Sequence, residues 1–157
     1  MKTIRLKWLR EIPLQDGASK NLIYSVDRAK FPDATGLYVF GWRYGKNFKA
    51  LYVGKATSIR KRMKQHFENN VPLMHRLKNA KSGKPVVLVA CYVPEPGHNA
   101  PRCITVAERT LIRHFLLAGH NLANKQGTRL RRHEIHSTGS KRTGRERFVP
   151  AIMYLDH

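Results

Sequence analysis

Two apolar runs carry the same tripeptide, Leu37-Tyr38-Val39 and Leu51-Tyr52-Val53, and the glycine-, cation- and aromatic-rich stretch between them, Gly41 to Lys49, reads as the loop of a β-hairpin. The second run stops at Gly54. Thr57 or Ser58 then offers an N-cap for a helix in which Ile59, Met63 and Phe67 recur every four residues. Arg62 and His66 keep the same spacing at the edge of that apolar face, which turns a cation and an imidazole toward the sheet and its tyrosines. Pro72 to Lys78 predicts a short second helix with proline in its first turn, broken by the run Lys81 to Pro85. Val86 to Val93 is apolar throughout and rich in β-branched residues, the pattern of a buried central strand. Pro94, Pro96, Gly97 and Pro101 read as the loop after it.

A third helix is predicted from about Ile104 to Ala118. At 100° per residue, Ile104, Ala107, Leu111, Ile112, Phe115 and Ala118 share one face; Arg109 and Arg113 point away from it and His114 sits at its edge. Glu108 falls inside the apolar arc. A carboxylate placed there is costly unless it is paired, protonated or metal-bound. One reading is an ion pair with a nearby Arg or Lys, the other a site. Gly119 and the polar residues to Gly127 end the helix.

The flanks are less regular. Alternation from Thr3 to Leu9 suggests a strand or an extended arm, closed by Pro13 and Asp16-Gly17. Asn21 to Val26 is another short apolar run, and Phe31-Pro32-Asp33 turns the chain into the hairpin; Asp27 and Asp33 read as turn and cap residues. Thr128 to Arg147 is polar and basic and is expected to lack structure until it meets nucleic acid. Phe148 to Leu155 is expected to return as an edge strand that anchors the tail. His133 and His136 have no second pair nearby and read as surface histidines.

Composition narrows the class. A chain of 157 residues is the size of one domain with a sizeable core, and 30 Lys and Arg against 10 Asp and Glu give a net charge of +20. Such an excess points to a polyanionic partner, because every phosphate neutralised releases counterions. A membrane surface is excluded by the lack of an amphipathic helix with exposed Leu or Trp. From Lys55 to Lys84 the one acid is Glu68, against nine Lys and Arg. The candidate phosphate contacts are Arg60, Lys61 and Lys64 on the first helix, Arg43 and Lys46 in the hairpin loop, and Arg129, Arg131 and Arg132 in the tail. Trp42, Tyr44 and Phe48 stand among the loop cations; rings that cover the sheet are the favoured reading over rings that stack on bases. Cys91 and Cys103 are too few for a disulfide framework or a paired-cysteine zinc site. Charged residues interrupt the first 14 positions, so no secretion signal and no membrane span are expected, and a cytoplasmic, nucleoid-associated protein is.

In this order the residues resemble the GIY-YIG nuclease family, with Gly36-Leu37-Tyr38 as the first half of the name and Tyr52-Val53-Gly54 as the second. The likeness continues through Lys55, Arg62, His66 and the helical Glu108, over roughly Thr35 to Gln126. Leu37 and Val53 stand where the family name has Ile. The resemblance implies a small α/β domain of α+β type, a mainly antiparallel three-stranded sheet flanked by helices with its core at about 35–126, an N-terminal extension 1–34 and a basic tail 128–157, all one domain. It implies an endonuclease that hydrolyses phosphodiesters of double-stranded or branched DNA with one Mg²⁺ or Mn²⁺ held by Glu108. Arg62 would hold the scissile phosphate, Tyr38 or Tyr52 would be the base with the other positioning, and Lys55 and His66 would assist. The family's asparagine after the glutamate helix would be Asn124, with Asn121 second. Two rivals are a non-catalytic nucleic-acid-binding module of this fold and a ribosome-associated basic protein. Target, host and oligomeric state are not indicated by the sequence.

Overall fold

The computed structural model describes residues 3–17, 22–80 and 82–124, with the backbone of Arg132–His136 and Ile152–Asp156. The first strands are β1 (Arg5–Trp8), β2 (Ile12–Pro13), β3 (Gln15–Asp16) and β4 (Tyr24–Ser25), followed by a 3-10 turn at Arg28–Lys30. The hairpin is β5 (Gly36–Tyr44) and β6 (Asn47–Ala56). Helices α1 (Ile59–Asn69) and α2 (Val71–Lys78), strand β7 (Lys84–Val93) and helix α3 (Ala100–Leu117) follow, then β8 (Arg132–His136) and β9 (Ile152–Asp156). The chain divides into two units, Met1–Lys125 and Gln126–His157. No helix among the described residues is long and apolar enough to cross a membrane.

In the first unit the expected antiparallel trio is present, β7 beside β5 and β5 beside β6. The N-terminal segment extends it: β1 and β2 both pair antiparallel with the far edge of β7, Lys7 opposite Cys91 and Ile12 opposite Val87. Alternation divides the sheet into two faces. Tyr38, Phe40, Trp42, Val87 and Val89 pack with Ile59 and Met63 of α1 and Leu73, Met74 and Leu77 of α2. On the other face Leu37, Val39, Val53 and Ala90 meet Ile104 and Ile112 of α3 in two smaller clusters. The sheet is therefore a layer between helices.

Several boundaries differ from the sequence reading. The hairpin loop is two residues long, Gly45 and Lys46, with Gly45 at φ +57°; the strands run through the stretch taken for loop. The rings do cover the sheet: Trp42 is buried and its Nε1 donates to Leu77 O at 2.9 Å, while Phe48 packs on Phe115. Helix α3 begins one turn early, with Asn99 as N-cap and Pro101 in the first turn, a position where a missing N–H costs nothing. Within the tail, β8 and β9 form their own antiparallel ladder, Ile135 opposite Met153. The strand at 132–136 falls within the stretch expected to lack structure until it meets nucleic acid; backbone pairing with β9 does not depend on apolar composition.

Candidate active site

Tyr38 lies on the α1 face of β5, directly opposite Gly54 of β6. Its ring covers that glycine: a Cβ at position 54 would stand 2.3 Å from Tyr38 Oη. Tyr52, opposite Phe40, reaches the same face, and the two phenol rings stack with centroids 6.2 Å apart. The ladder slips just beside it: Phe40 faces Tyr52 and Gly41 faces Ala50, so Leu51 is an extra residue that turns its side chain into the α1 side of the core.

Helix α1 supplies the other two groups because Arg62 and His66 are one turn apart. Ser58 caps it by accepting from Lys61 N and is itself fixed by a hydrogen bond to Asp33. His66 is buried at 2 % exposure among the edges of Tyr38, Phe40 and Tyr52. Tyr38 Oη lies 2.7 Å from His66 Nε2, and Arg62 Nε donates to the same oxygen at 3.3 Å. Arg62 Nη1 also donates to Gln65 Oε1 at 2.9 Å. Burial, and then the Arg62 charge, push the His66 pKa down to about 4, so the ring is neutral near pH 7. Burial pushes the Tyr38 phenol above its ordinary range; the Arg62 hydrogen bond opposes this, and the nearby Tyr52 and Glu108 add to it. A cationic neighbour favours a phenolate, but at Tyr38 desolvation outweighs it.

On the opposite face of β6, Lys55 stands across from Leu37, toward α3. Its Nζ lies 2.9 Å from Glu108 Oε2. The Glu108 side chain is 18 % exposed, so the apolar arc leaves the carboxylate an opening and Lys55 compensates its charge. Lys55 and Arg62 line a common cleft of about 480 Å³, with Lys61, Gln65, Ile104 and Thr105 among its other walls. It lies where the end of β6 and the first turns of α1 and α3 converge.

No group of three or more His, Cys, Asp or Glu that could hold an ion occurs among the described residues. That donor set does not fit zinc or a protein-built calcium cage. One partly exposed carboxylate, Glu108, fits Mg²⁺ or Mn²⁺, which keep several waters and take further oxygens from a phosphate.

Asn124 belongs to the edge of β6. Its Oδ1 accepts from Val53 N at 3.1 Å and its Nδ2 donates to Val53 O, which holds the strand beside Tyr52. Asn121 is exposed. Of the candidate phosphate contacts, Lys61 lines the cleft, while Lys46 is exposed in the hairpin turn and Lys64 exposed on α1. Arg43 is engaged with Glu11 and with Gly45 O, and Arg60 Nε donates to Phe31 O at 2.9 Å, so both also brace the fold. Arg129 and Arg131 lie outside the described residues, as does the side chain of Arg132 at the start of β8.

Sequence reasoning missed two side chains. His120 Nδ1 accepts from Ala50 N at 2.8 Å, and nothing in the pattern marks it. Asn70 caps α2 and reaches His66 Nδ1 at 3.0 Å. Its signal was legible: an asparagine two residues before a helix-opening proline and four after the histidine.

Residues 37–121, more than half of the chain, match the family described as the GIY-YIG catalytic domain, and the chain belongs to that nuclease family. It is also similar to the UvrABC system protein C of Dictyoglomus thermophilum, with 42 % identity over 53 residues. That similarity covers 33 % of this chain and 8 % of the relative, so the chain spans a small part of that protein's length. No solved structure matches.

Proposed function

We propose that this chain is a metal-dependent DNA endonuclease, and that the residues converging on the cleft hydrolyse a phosphodiester with Mg²⁺ or Mn²⁺. The observation that carries this is that Arg62, of the Tyr38–Arg62–His66 cluster, and Lys55, of the Lys55–Glu108 pair, line one cleft at the end of β6. Binding nucleic acid needs no carboxylate, so Glu108, paired with a lysine that lines the cleft, favours catalysis over a binding module.

Arg62, anchored through Nε and Nη1, presents its remaining donors to a phosphate oxygen and counters the charge that grows as the bond breaks. Glu108 would hold the metal, which supplies charge stabilisation on the phosphate and the leaving oxygen. Lys55, released from Glu108 in that state, adds a cation beside the phosphate. One of the two stacked tyrosines, as its phenolate, takes the proton of the attacking water and becomes the neutral phenol, while the other orients that water. Asn124 keeps β6, and so Tyr52, in register. DNA, double-stranded or branched, is the polyanion that the basic α1 face and the tail would grip.

The test is conversion of supercoiled plasmid to nicked or linear form, with Mg²⁺ and with chelator, at fixed salt. Metal-dependent cutting is expected, with a loss of at least ~100-fold in Glu108→Ala from several kcal/mol of lost charge stabilisation. DNA binding should persist in that variant. Tight binding without cutting of plasmid, branched DNA and RNA would put the non-catalytic module ahead.

A further inference from the structure

Two observations meet at Asn70, which follows α1 and precedes α2. As N-cap of α2, its Oδ1 accepts from Leu73 N at 3.4 Å. This use of the oxygen fixes the amide, so the group 3.0 Å from His66 Nδ1 is Nδ2, which can only donate. On this amide orientation Nδ1 would be the bare nitrogen of a neutral imidazole and Nε2, 2.7 Å from Tyr38 Oη, would carry the ring proton. That oxygen already accepts from Arg62 Nε.

We propose that Asn70 is a positioning residue that locks His66 in the Nε2–H tautomer, so that Tyr38 Oη receives hydrogen bonds from both His66 and Arg62 and keeps its own proton for a third partner. The consequence rests on the nuclease reading above. In the opposite tautomer Nε2 would be an acceptor, and the phenol O–H would donate its hydrogen bond to the imidazole inside the core. With Asn70 in place, negative charge on the Tyr38 oxygen meets two N–H donors, which offset part of the cost that burial sets against its deprotonated form. The charged or titratable groups facing His66 are Tyr38 from β5, Tyr52 from β6 and Arg62 from its own helix; Phe40 closes the remaining side. None of these except the Asn70 amide reaches Nδ1, so the tautomer depends on that contact.

Asn70→Asp and Asn70→Ser both retain a good helix cap and remove the amide donor. The ring-nitrogen spectrum of ¹⁵N-labelled full chain, taken without substrate or metal at mildly alkaline pH, is expected to show Nε2–H for His66 in the wild type. Asn70→Asp should move the proton to Nδ1, and Asn70→Ser should leave a mixture. On plasmid substrate both variants should lose roughly 10- to 100-fold in kcat with KM unchanged, the size typical of outer-shell partners. The limb of the pH–rate profile that reports the phenol should shift to higher pH. A wild-type Nδ1–H ring, a tautomer that ignores both substitutions, or variants with wild-type kcat and pH profile would each overturn the proposal. Because the spectrum requires no turnover, an inactive wild type would count against the nuclease reading and leave the tautomer assignment to be judged by the spectrum.

Discussion

Tyr38 and Gly54 come from the two halves of the family's motif, yet in space they are one object. The ring occupies the volume that a side chain at position 54 would need, so the glycine is required by the tyrosine across the ladder rather than by its own backbone conformation. Gly36 answers a similar demand, since a Cβ there would meet Ala90 O at 2.0 Å and the tip of Ile59 at 2.9 Å. The tyrosines, Arg62, His66 and Glu108 were legible as positions. What the sequence could not convey was how far Tyr38 and His66 are buried, because Tyr38 is covered by helices that lie far along the chain and His66, on α1, by the rings of β5 and β6. His66 carries a stability consequence. Its folded pKa, about 4, lies below the ordinary 6.5, so the unfolded chain binds the extra proton first. Stability from this residue is present above pH 6.5 and declines as pH falls toward 4, by on the order of 3 kcal/mol at most. Denaturant titrations across that range should show the decline in the wild type and a flatter profile in His66→Gln.

Among the elements, β6 has the most demanding position: it is the last strand of its sheet and carries Tyr52 and Lys55. An open edge would leave backbone groups ready to pair with another chain. Residues after α3 cover it instead, with His120 on Ala50 N, Ala123 N on Leu51 O at 2.6 Å, and Asn124 on both backbone groups of Val53. Asn124→Ala should therefore cost about 1–3 kcal/mol, the penalty for stranding buried backbone groups. Hydrogen exchange at the Val53 amide should accelerate at least as much as global unfolding does, and cleavage should fall with it; an unchanged Val53 rate would contradict the assignment. This edge cover was only half legible. An asparagine near position 124 was anticipated, but nothing local signals that a histidine will stand in for a strand. The same limit applies to β1, whose alternation was visible, and to β2, which falls where Pro13 was read as closing the segment: their partner, β7, lies about 80 residues away.

At the scale of the whole chain, the ten acids do little to offset thirty cations. Ion pairs join Arg5 to Glu95, Arg28 to Glu68 and Arg43 to Glu11, each with one partner well exposed, so they contribute little to stability; Lys55 and Glu108 form a fourth, half-buried pair. Charge here concerns partners rather than folding. Seven of the thirty cations, Arg129, Arg131, Arg132, Lys141, Arg142, Arg145 and Arg147, follow Lys125. A chain ending at Lys125 retains every residue placed at the cleft. It should bind nonspecific DNA more weakly, with a shallower dependence of log affinity on log salt, by about 0.9 for each phosphate that the tail would have neutralised. Fluorescence anisotropy across a salt series checks this; an unchanged slope would mean that the tail neutralises no phosphates.

The two tryptophans sit in opposite optical surroundings. Trp42 is sealed against α2 with its indole N–H on Leu77 O, while Trp8 on β1 is 44 % exposed. Emission from this protein is thus a sum of a blue, shielded source and a red one open to dissolved quenchers. Iodide separates them, and a chain with Trp8 replaced by phenylalanine keeps one intrinsic fluorophore whose colour reports whether α2 is seated on the sheet.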